Sequence, residues 1–239
     1  MTQTVFIDGE VGTTGLQIRE RLKNRSDLSF LRLDDFERKD LARRSEMLNS
    51  ADVVILCLPD DASRDAVAMI KNKHVKVIDA SSAHRVAKGW TYGMPEYDIN
   101  QAEKIASSSR VSNPGCYAIT SVSILYPLIK AGIIQQSQAI TINAISGYSG
   151  GGKQMISHYE TATGARANPT FRVYSLDLRH KHVPEIQKWG GLSHAPLFVP
   201  SVGDFRQGMI VQVPLQLWSL PGRPRSEDIH ATLTSHYAT

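Results

Sequence analysis

The sequence predicts an α/β protein: an N-terminal Rossmann-type, doubly wound parallel sheet, followed by an α+β catalytic domain with a mixed sheet. Three observations predict it. The first 80 residues alternate short apolar strands with helix-period segments. The first strand runs directly into a glycine loop that opens a helix. Beyond Ser112, strand patterns follow one another without regular helices between them.

Val5 to Asp8 reads as a short strand and Thr14 to Asn24 as the helix after it. Leu28 to Leu33 is a second strand, Asp40 to Asn49 a helix, and Asp52 to Leu58 a strongly apolar third strand. Asp60 to Lys71 is helical and Val75 to Asp79 a fourth strand. Alternation at this spacing implies right-handed βαβ crossovers, hence parallel pairing. From Tyr117 to Ile134, apolar residues recur at Ile119, Val122, Leu125, Leu128 and Ile129, which is helix spacing. Ala139 to Ile145 alternates as a strand does, and Leu197 to Pro200 is a further strand. Met209 to Trp218 reads as one long strand in which Pro214 marks an edge or a bulge. Ser226 to Tyr237 is a helix with Ser226 as N-cap. The change of pattern divides the chain into a dinucleotide-binding domain over 1–114 and a catalytic domain over 115–239.

Composition excludes several classes. With 41% hydrophobic and 21% charged residues, the chain is an ordinary globular one. The net charge of +4 arises from basic residues dispersed among acids, as in Arg19-Glu20-Arg21 and Glu37-Arg38-Lys39-Asp40. No basic run is interleaved with aromatics, so nucleic acid is not an expected partner. No apolar run reaches the ~20 residues of a membrane helix, and the first residues lack the pattern of a signal peptide. The two cysteines, Cys57 in an apolar strand and Cys116 before a helix, do not suggest a disulfide framework, and a reducing cytoplasm fits.

Gly9-Glu10-Val11-Gly12-Thr13-Thr14-Gly15 departs from the usual G-x-G-x-x-G fingerprint but meets its physical needs. Glycines permit a tight turn and close approach to a pyrophosphate, which rests on a helix N-terminus. Cofactor choice is made after the second strand, where an acid would bind a ribose diol and a basic residue a 2′-phosphate. The segment Leu33-Asp34-Asp35-Phe36-Glu37-Arg38-Lys39 offers both, and the residues leave the choice open. A second loop, Ser146-Gly147-Tyr148-Ser149-Gly150-Gly151-Gly152-Lys153, imitates a triphosphate loop. It is followed by Gln154 where Ser or Thr would hold magnesium, so an ATPase is not expected.

Cys116 follows Ser112-Asn113-Pro114-Gly115 at the start of the apolar helix. A helix start carries unpaired N–H groups and a positive dipole end, which favour the thiolate. The alternative for such a cysteine is plain packing. A thiolate nucleophile needs a proton-moving partner, and His180-Lys181-His182 supplies two histidines. In an extended segment both rings would point the same way. His84, near the C-terminal end of the fourth strand, is another candidate. No cysteine or acid stands at ligand spacing from the histidine pair, so no metal is expected.

Taken together, these motifs resemble those of N-acetyl-gamma-glutamyl-phosphate reductase in its shorter bacterial form. The resemblance rests on Phe6 to Gly15, Leu56-Cys57-Leu58-Pro59-Asp60-Asp61, Asp79-Ala80-Ser81-Ser82-Ala83-His84-Arg85, Ser112 to Tyr117, Ser146 to Lys153 and His180 to Glu185, in the family's order. It implies a cytoplasmic, homo-oligomeric enzyme of arginine biosynthesis. Such an enzyme would use NADP(H) to interconvert N-acetyl-glutamyl 5-phosphate and N-acetyl-glutamate 5-semialdehyde, with phosphate released. Cys116 would form a thioester and His180 handle the proton, with His182 as second choice. Gly9, Gly12, Thr13, Thr14, Gly15, Arg38, Lys39, Pro59 and Ser81 would hold the cofactor. Asn113, Arg85, Ser146, Gly147 and Tyr174 would contact the substrate. The resemblance also implies elements beyond a helix like Ser226 to Tyr237, whereas this sequence stops at Thr239, so an incomplete catalytic domain is expected. Two rivals stand beside this reading: a related acyl-phosphate reductase such as aspartate-semialdehyde dehydrogenase, and a non-catalytic dinucleotide-binding protein.

Overall fold

A computed structural model of the chain describes residues 2–34, 36–161 and 169–238. Asp35, one of the acids weighed for cofactor choice, lies outside the described residues, and the side chain of Thr13 is likewise not described. The chain forms two compact units, Met1–Pro114 and Gly115–Thr239.

In the first unit, β1 (Gln3–Asp8), α1 (Thr13–Leu22), β2 (Leu28–Leu31), α2 (Leu41–Ser50), β3 (Val53–Leu56), α3 (Asp60–Met69) and β4 (Lys76–Asp79) alternate as the apolar runs predict. They are followed by β5 (Thr91–Tyr92), α4 (Gln101–Ser107) and β6 (Arg110–Ser112). The strands form one six-stranded sheet in the order β2-β1-β3-β4-β6-β5, and every pairing in it is parallel. Alternation along β1 explains the two layers. Val5 and Ile7 pack with Ile18 and Leu22 of α1, while Phe6 on the opposite face joins Leu48 of α2 and Ala66 of α3. The order reverses between β1 and β3, the switch point at which such sheets bind ligands. Asp40 lies outside α2 and caps it, accepting from the backbone N–H groups of Ala42 at 2.8 Å and Arg43 at 3.2 Å.

The second unit contains α5 (Cys116–Lys130), β7 (Thr141–Gly147), α6 (Gly152–Thr161), β8 (Phe171–Val173), α7 (Val183–Gly190), β9 (Leu197–Gly203), β10 (Met209–Gln212) and α8 (Ser226–His236). Its sheet runs β10-β7-β9-β8 and is mixed: β7 and β9 are parallel, and both edges are antiparallel. Leu125 and Leu128 of α5, Ile142 of β7, Phe198 of β9 and Ile186 of α7 build its core. Fully burying a leucine is worth about 2–3 kcal/mol. Pro127 inside α5 has no N–H for the carbonyl of Ser123. The Tyr237 hydroxyl, just past α8, donates to that carbonyl at 2.8 Å.

Three expectations need correction. Beyond Ser112 the strands are not free of intervening helices: α6 separates β7 from β8 and α7 separates β8 from β9, and it is these connections that let β7 and β9 pair in parallel. The strand from Met209 ends at Gln212, because Pro214 cannot donate to the ladder, and a short turn over Leu217–Ser219 follows. Ser226 is the first residue of α8, and Arg225 is its N-cap. The Ser226 hydroxyl bonds Glu227 at 3.1 Å, and the Asp228 carboxylate caps the helix by accepting the Arg225 N–H at 2.8 Å.

Candidate active site

The first unit carries a cofactor cradle. Gly9 has φ +89, and a Cβ there would lie 2.4 Å from the Cys57 carbonyl oxygen. A Cβ on Gly15 would lie 2.5 Å from the Gly9 carbonyl oxygen and from Glu10 Cα. Only glycine fits at either position, because the obstructing atoms are backbone. Gly12 is the N-cap of α1 and provides no side-chain cap, so the first-turn N–H groups face outward for an anion. Beside this turn lies a cavity of about 230 Å³ lined by Phe6, Gly9, Leu33, Arg38, Arg44 and Leu58, among others. Apolar walls, guanidinium groups and an uncapped helix start fit an adenine dinucleotide.

Two acids after β2, Glu37 and Asp40, are engaged, whereas Asp34 is exposed. Glu37 accepts from Arg43 at 2.9 Å and from the Asp34 N–H at 3.2 Å, and Asp40 caps α2. Arg38 lines the cavity, 3.6 Å from Glu10, whereas Lys39 is exposed and is not among the lining residues. Sequence reasoning missed Arg44, whose guanidinium pairs with the buried Asp8 at 2.8 Å on the same cavity. Its signal was only a charged residue within a helix.

Pro59 is exposed and serves as N-cap of α3. Ser81 is buried, and its hydroxyl donates to Asp79 at 2.7 Å. Asp79 also holds His84 Nδ1 at 2.6 Å, and the His84 ring stacks on Trp90 at 4.1 Å. His84 is thus an orienting member of its loop. Arg85 is 7% exposed and donates to the carbonyls of Asn113 at 3.1 Å and Ala80 at 3.0 Å. In this conformation it braces the turn before Pro114. The Asn113 side chain is exposed.

The second unit gathers Cys116, Ser146, Gly147, Tyr174, His180 and His182 around one residue absent from the sequence-based set, Tyr117. Cys116 is the first residue of α5 and is exposed. The neighbouring Tyr117 is 3% exposed. Its hydroxyl reaches Ser146 Oγ at 2.8 Å and the Ser201 carbonyl at 3.2 Å, and it accepts from the Tyr174 hydroxyl at 3.2 Å. Burial pushes both phenols above their ordinary range, with the Cys116 charge a smaller contribution in the same direction. Both therefore stay protonated as donors at neutral pH. Gly147 ends β7, and a Cβ there would meet the Phe205 carbonyl oxygen at 2.6 Å.

The histidine pair differs from the expected extended arrangement. His182 is the N-cap of α7 with φ −83 and ψ −13, and the Val183 N–H closes a turn onto the His180 carbonyl at 2.9 Å. The turn, rather than a strand, brings the two rings to 4.7 Å. His182 is 4% exposed, and its backbone N–H donates to His180 Nδ1 at 3.1 Å. That bond places the proton of neutral His180 on Nε2. His180 is the more accessible ring and lies 6.0 Å from Tyr117 and 5.9 Å from Tyr174, centroid to centroid. Among the described residues, no group of three His, Cys, Asp or Glu is placed to hold a metal ion, and no helix is long and apolar enough to cross a membrane.

Comparison with known proteins adds to this geometry. Residues 13–107 match the family described as semialdehyde dehydrogenase, NAD binding domain, and residues 116–239 the semialdehyde dehydrogenase, dimerisation domain. The chain is 54% identical over 236 residues to N-acetyl-gamma-glutamyl-phosphate reductase 2 of Pseudomonas putida, covering 99% of this chain and 75% of that protein. It is 50% identical over 237 residues to the protein of the same name from Nostoc sp., covering 98% and 74%. Among solved structures, it superposes on aspartate semialdehyde dehydrogenase II from Vibrio cholerae, complexed with ASA. The TM-score is 0.70 and the identity 16%, covering 99% of this chain and 80% of that one. The aspartate semialdehyde dehydrogenase with NADP from Candida albicans gives a TM-score of 0.61 at 13% identity, covering 97% and 76%. At these identities the two structures share the fold.

Proposed function

The chain belongs to the N-acetyl-gamma-glutamyl-phosphate reductase family and is an NAD(P)-dependent oxidoreductase, and from that membership we propose that it reduces N-acetyl-glutamyl 5-phosphate to N-acetyl-glutamate 5-semialdehyde with NADPH, in arginine biosynthesis. The observation that carries the reading is the exposed Cys116 at the start of α5, in the unit that also holds Tyr117, Tyr174 and the His180–His182 pair. The protein works in the cytoplasm as a homo-oligomer assembled through its dimerisation domain, residues 116–239. Met1–Pro114 is its NADP-binding domain and Gly115–Thr239 its catalytic domain.

Cys116 thiolate attacks the acyl carbon of the substrate, and the tetrahedral adduct expels phosphate to leave a thioester. The N–H groups of the first turn of α5 have no intrahelical acceptor, the first such bond running from Ile119 to Gly115. They are placed to bind the developing oxyanion. When bound, NADPH supplies the hydride that brings the thioester carbon to the aldehyde level. The Nε2–H of neutral His180 donates a hydrogen bond to the thiohemiacetal alkoxide and keeps its proton as the alkoxide collapses to the aldehyde and the Cys116 thiolate leaves. The glycine turn Gly9–Gly15 and the start of α1, with Thr13 and Thr14, receive the pyrophosphate, and Pro59 and Ser81 border the cofactor. Arg38, which lines the cavity, receives the 2′-phosphate, and Lys39 adds charge at longer range. Ser146, Gly147, Tyr174, Asn113 and Arg85 are the proposed substrate contacts.

The test is phosphate- and NADP-dependent oxidation of N-acetyl-glutamate 5-semialdehyde by the wild type and by Cys116→Ser. Turnover by the wild type and its loss in the variant is the expected result. Turnover undiminished in Cys116→Ser overturns the nucleophile assignment. A preference for aspartate semialdehyde returns the related reductase. Tight NADPH binding without any turnover returns a non-catalytic binder.

A further inference from the structure

An acid in the first turn of a helix ordinarily faces water and stabilises its own helix. Glu185, in the first turn of α7, does neither alone: it is 1% exposed, and its Oε1 accepts the backbone N–H of Gly115 at 2.8 Å. Gly115 is the N-cap of α5, with φ −72 and ψ 147, so its N–H lies outside the helical ladder. The next residue is Cys116. The N-cap of α7 is His182, whose own N–H holds His180. One buried carboxylate therefore ties the start of the nucleophile helix to the start of the histidine helix.

We infer that Glu185 is a positioning residue, fixing Cys116 relative to the His180–His182 pair through the Gly115 N–H. The inference rests on Cys116 being the nucleophile. A backbone N–H donating to a carboxyl oxygen at 2.8 Å is a short, directional bond. Its neighbourhood holds it rigidly, because Ile186 beside it is fully buried in the core that α5 and α7 share. A displacement of about 1 Å in a reacting group costs on the order of 100-fold in rate. The bond also commits the Gly115 N–H, so an oxyanion must be met by donors further into α5.

Three substitutions separate reach from mere presence. Glu185→Gln keeps an acceptor oxygen at the same reach. Glu185→Asp keeps the carboxyl group but is shorter by one carbon–carbon bond, about 1.5 Å. Glu185→Ala removes the acceptor. With the full chain, kcat and KM for the semialdehyde and NADP are measured beside the rate of Cys116 alkylation by iodoacetamide, located by mass spectrometry. The expected result is a kcat about 10- to 100-fold lower in Glu185→Asp and Glu185→Ala, KM values within about twofold, and kcat within about threefold of wild type in Glu185→Gln. The alkylation rate should change in Glu185→Asp and stay near wild type in Glu185→Gln. If Glu185→Ala does not fold, the Gln and Asp variants still decide. A wild-type kcat in Glu185→Asp, or a Glu185→Gln as impaired as Glu185→Asp, overturns the inference. Cys116→Ser in the same series keeps the two failures apart: an active Cys116→Ser defeats the nucleophile reading, whereas an inactive one beside a fully active Glu185→Asp defeats only the positioning role.

Discussion

Replacing Tyr117 with Phe removes one oxygen and tests whether the hydroxyl cluster fastens the first turn of α5 to the sheet. The single proton on that oxygen serves Ser146 Oγ at 2.8 Å, with the Ser201 carbonyl at 3.2 Å as the second acceptor. The oxygen also accepts from Tyr174 at 3.2 Å. The loss is therefore one donated and one accepted bond, each worth about 0.5–1.5 kcal/mol net. Because the residue is 3% exposed, water cannot substitute well, and Tyr117→Phe should destabilise the chain by roughly 2–3 kcal/mol. Tyr174→Phe deletes only the donated bond and should cost about 1 kcal/mol. In the double variant the Tyr174 hydroxyl is absent when its acceptor is absent, so the two losses should fall short of additivity by about 1 kcal/mol. Urea unfolding followed by the fluorescence of Trp189 and Trp218, both in the second unit, measures all three at constant slope. Singles within 0.5 kcal/mol of wild type, or full additivity, would refute the idea of a connected cluster.

Two further outcomes follow from the electrostatics. Burial pushes the Cys57 thiol up to about 11 from an ordinary value near 9, the charges of Asp79 and then Asp8 adding to it. The folded chain keeps that proton where the unfolded chain has lost it, so its stability is present below about pH 9 and declines as pH rises toward about 11. Cys57→Ala should flatten the decline between pH 9 and 10 in a series of thermal melts, the raised phenols of Tyr117 and Tyr174 taking over above it; an unchanged slope would dismiss the account. In the cofactor cavity, Arg38→Gln should raise KM for NADPH about 10-fold and leave that for NADH within about twofold, since only the 2′-phosphate distinguishes them. An equal loss for both cofactors would move the 2′-phosphate away from Arg38.

What could be read from the sequence was whatever short-range periodicity encodes. The first four parallel strands of the first unit and the helix behind Cys116 each bury a face, so their apolar spacing showed them, whereas the two- and three-residue strands β5 and β6 are too short to carry a pattern. Gly9 and Gly15 were legible because a turn that tight admits no Cβ. The long strand expected over Met209 to Trp218 failed at Pro214, because apolar alternation continues past the point at which the ladder loses its donors. The Ser226 cap failed because the helix already includes Ser226: Arg225 is the N-cap, and Asp228 three residues on accepts its N–H. The site divides in the same way. Cys116 and the two histidines belong to local motifs, while the groups that hold them are joined only by folding. Glu185 lies 70 residues from Gly115, and Tyr117 lies 29 residues from Ser146 and 57 from Tyr174. To a periodicity argument Tyr117 is one more apolar position on a helix, and Glu185 one more acid at a helix start. Each becomes informative only with its burial, because a buried phenol or carboxylate must find a partner. In this unit the carboxylate finds the N–H of Gly115 and the phenol of Tyr117 finds Ser146, Ser201 and Tyr174, so the buried polar groups engage the residue on either side of Cys116.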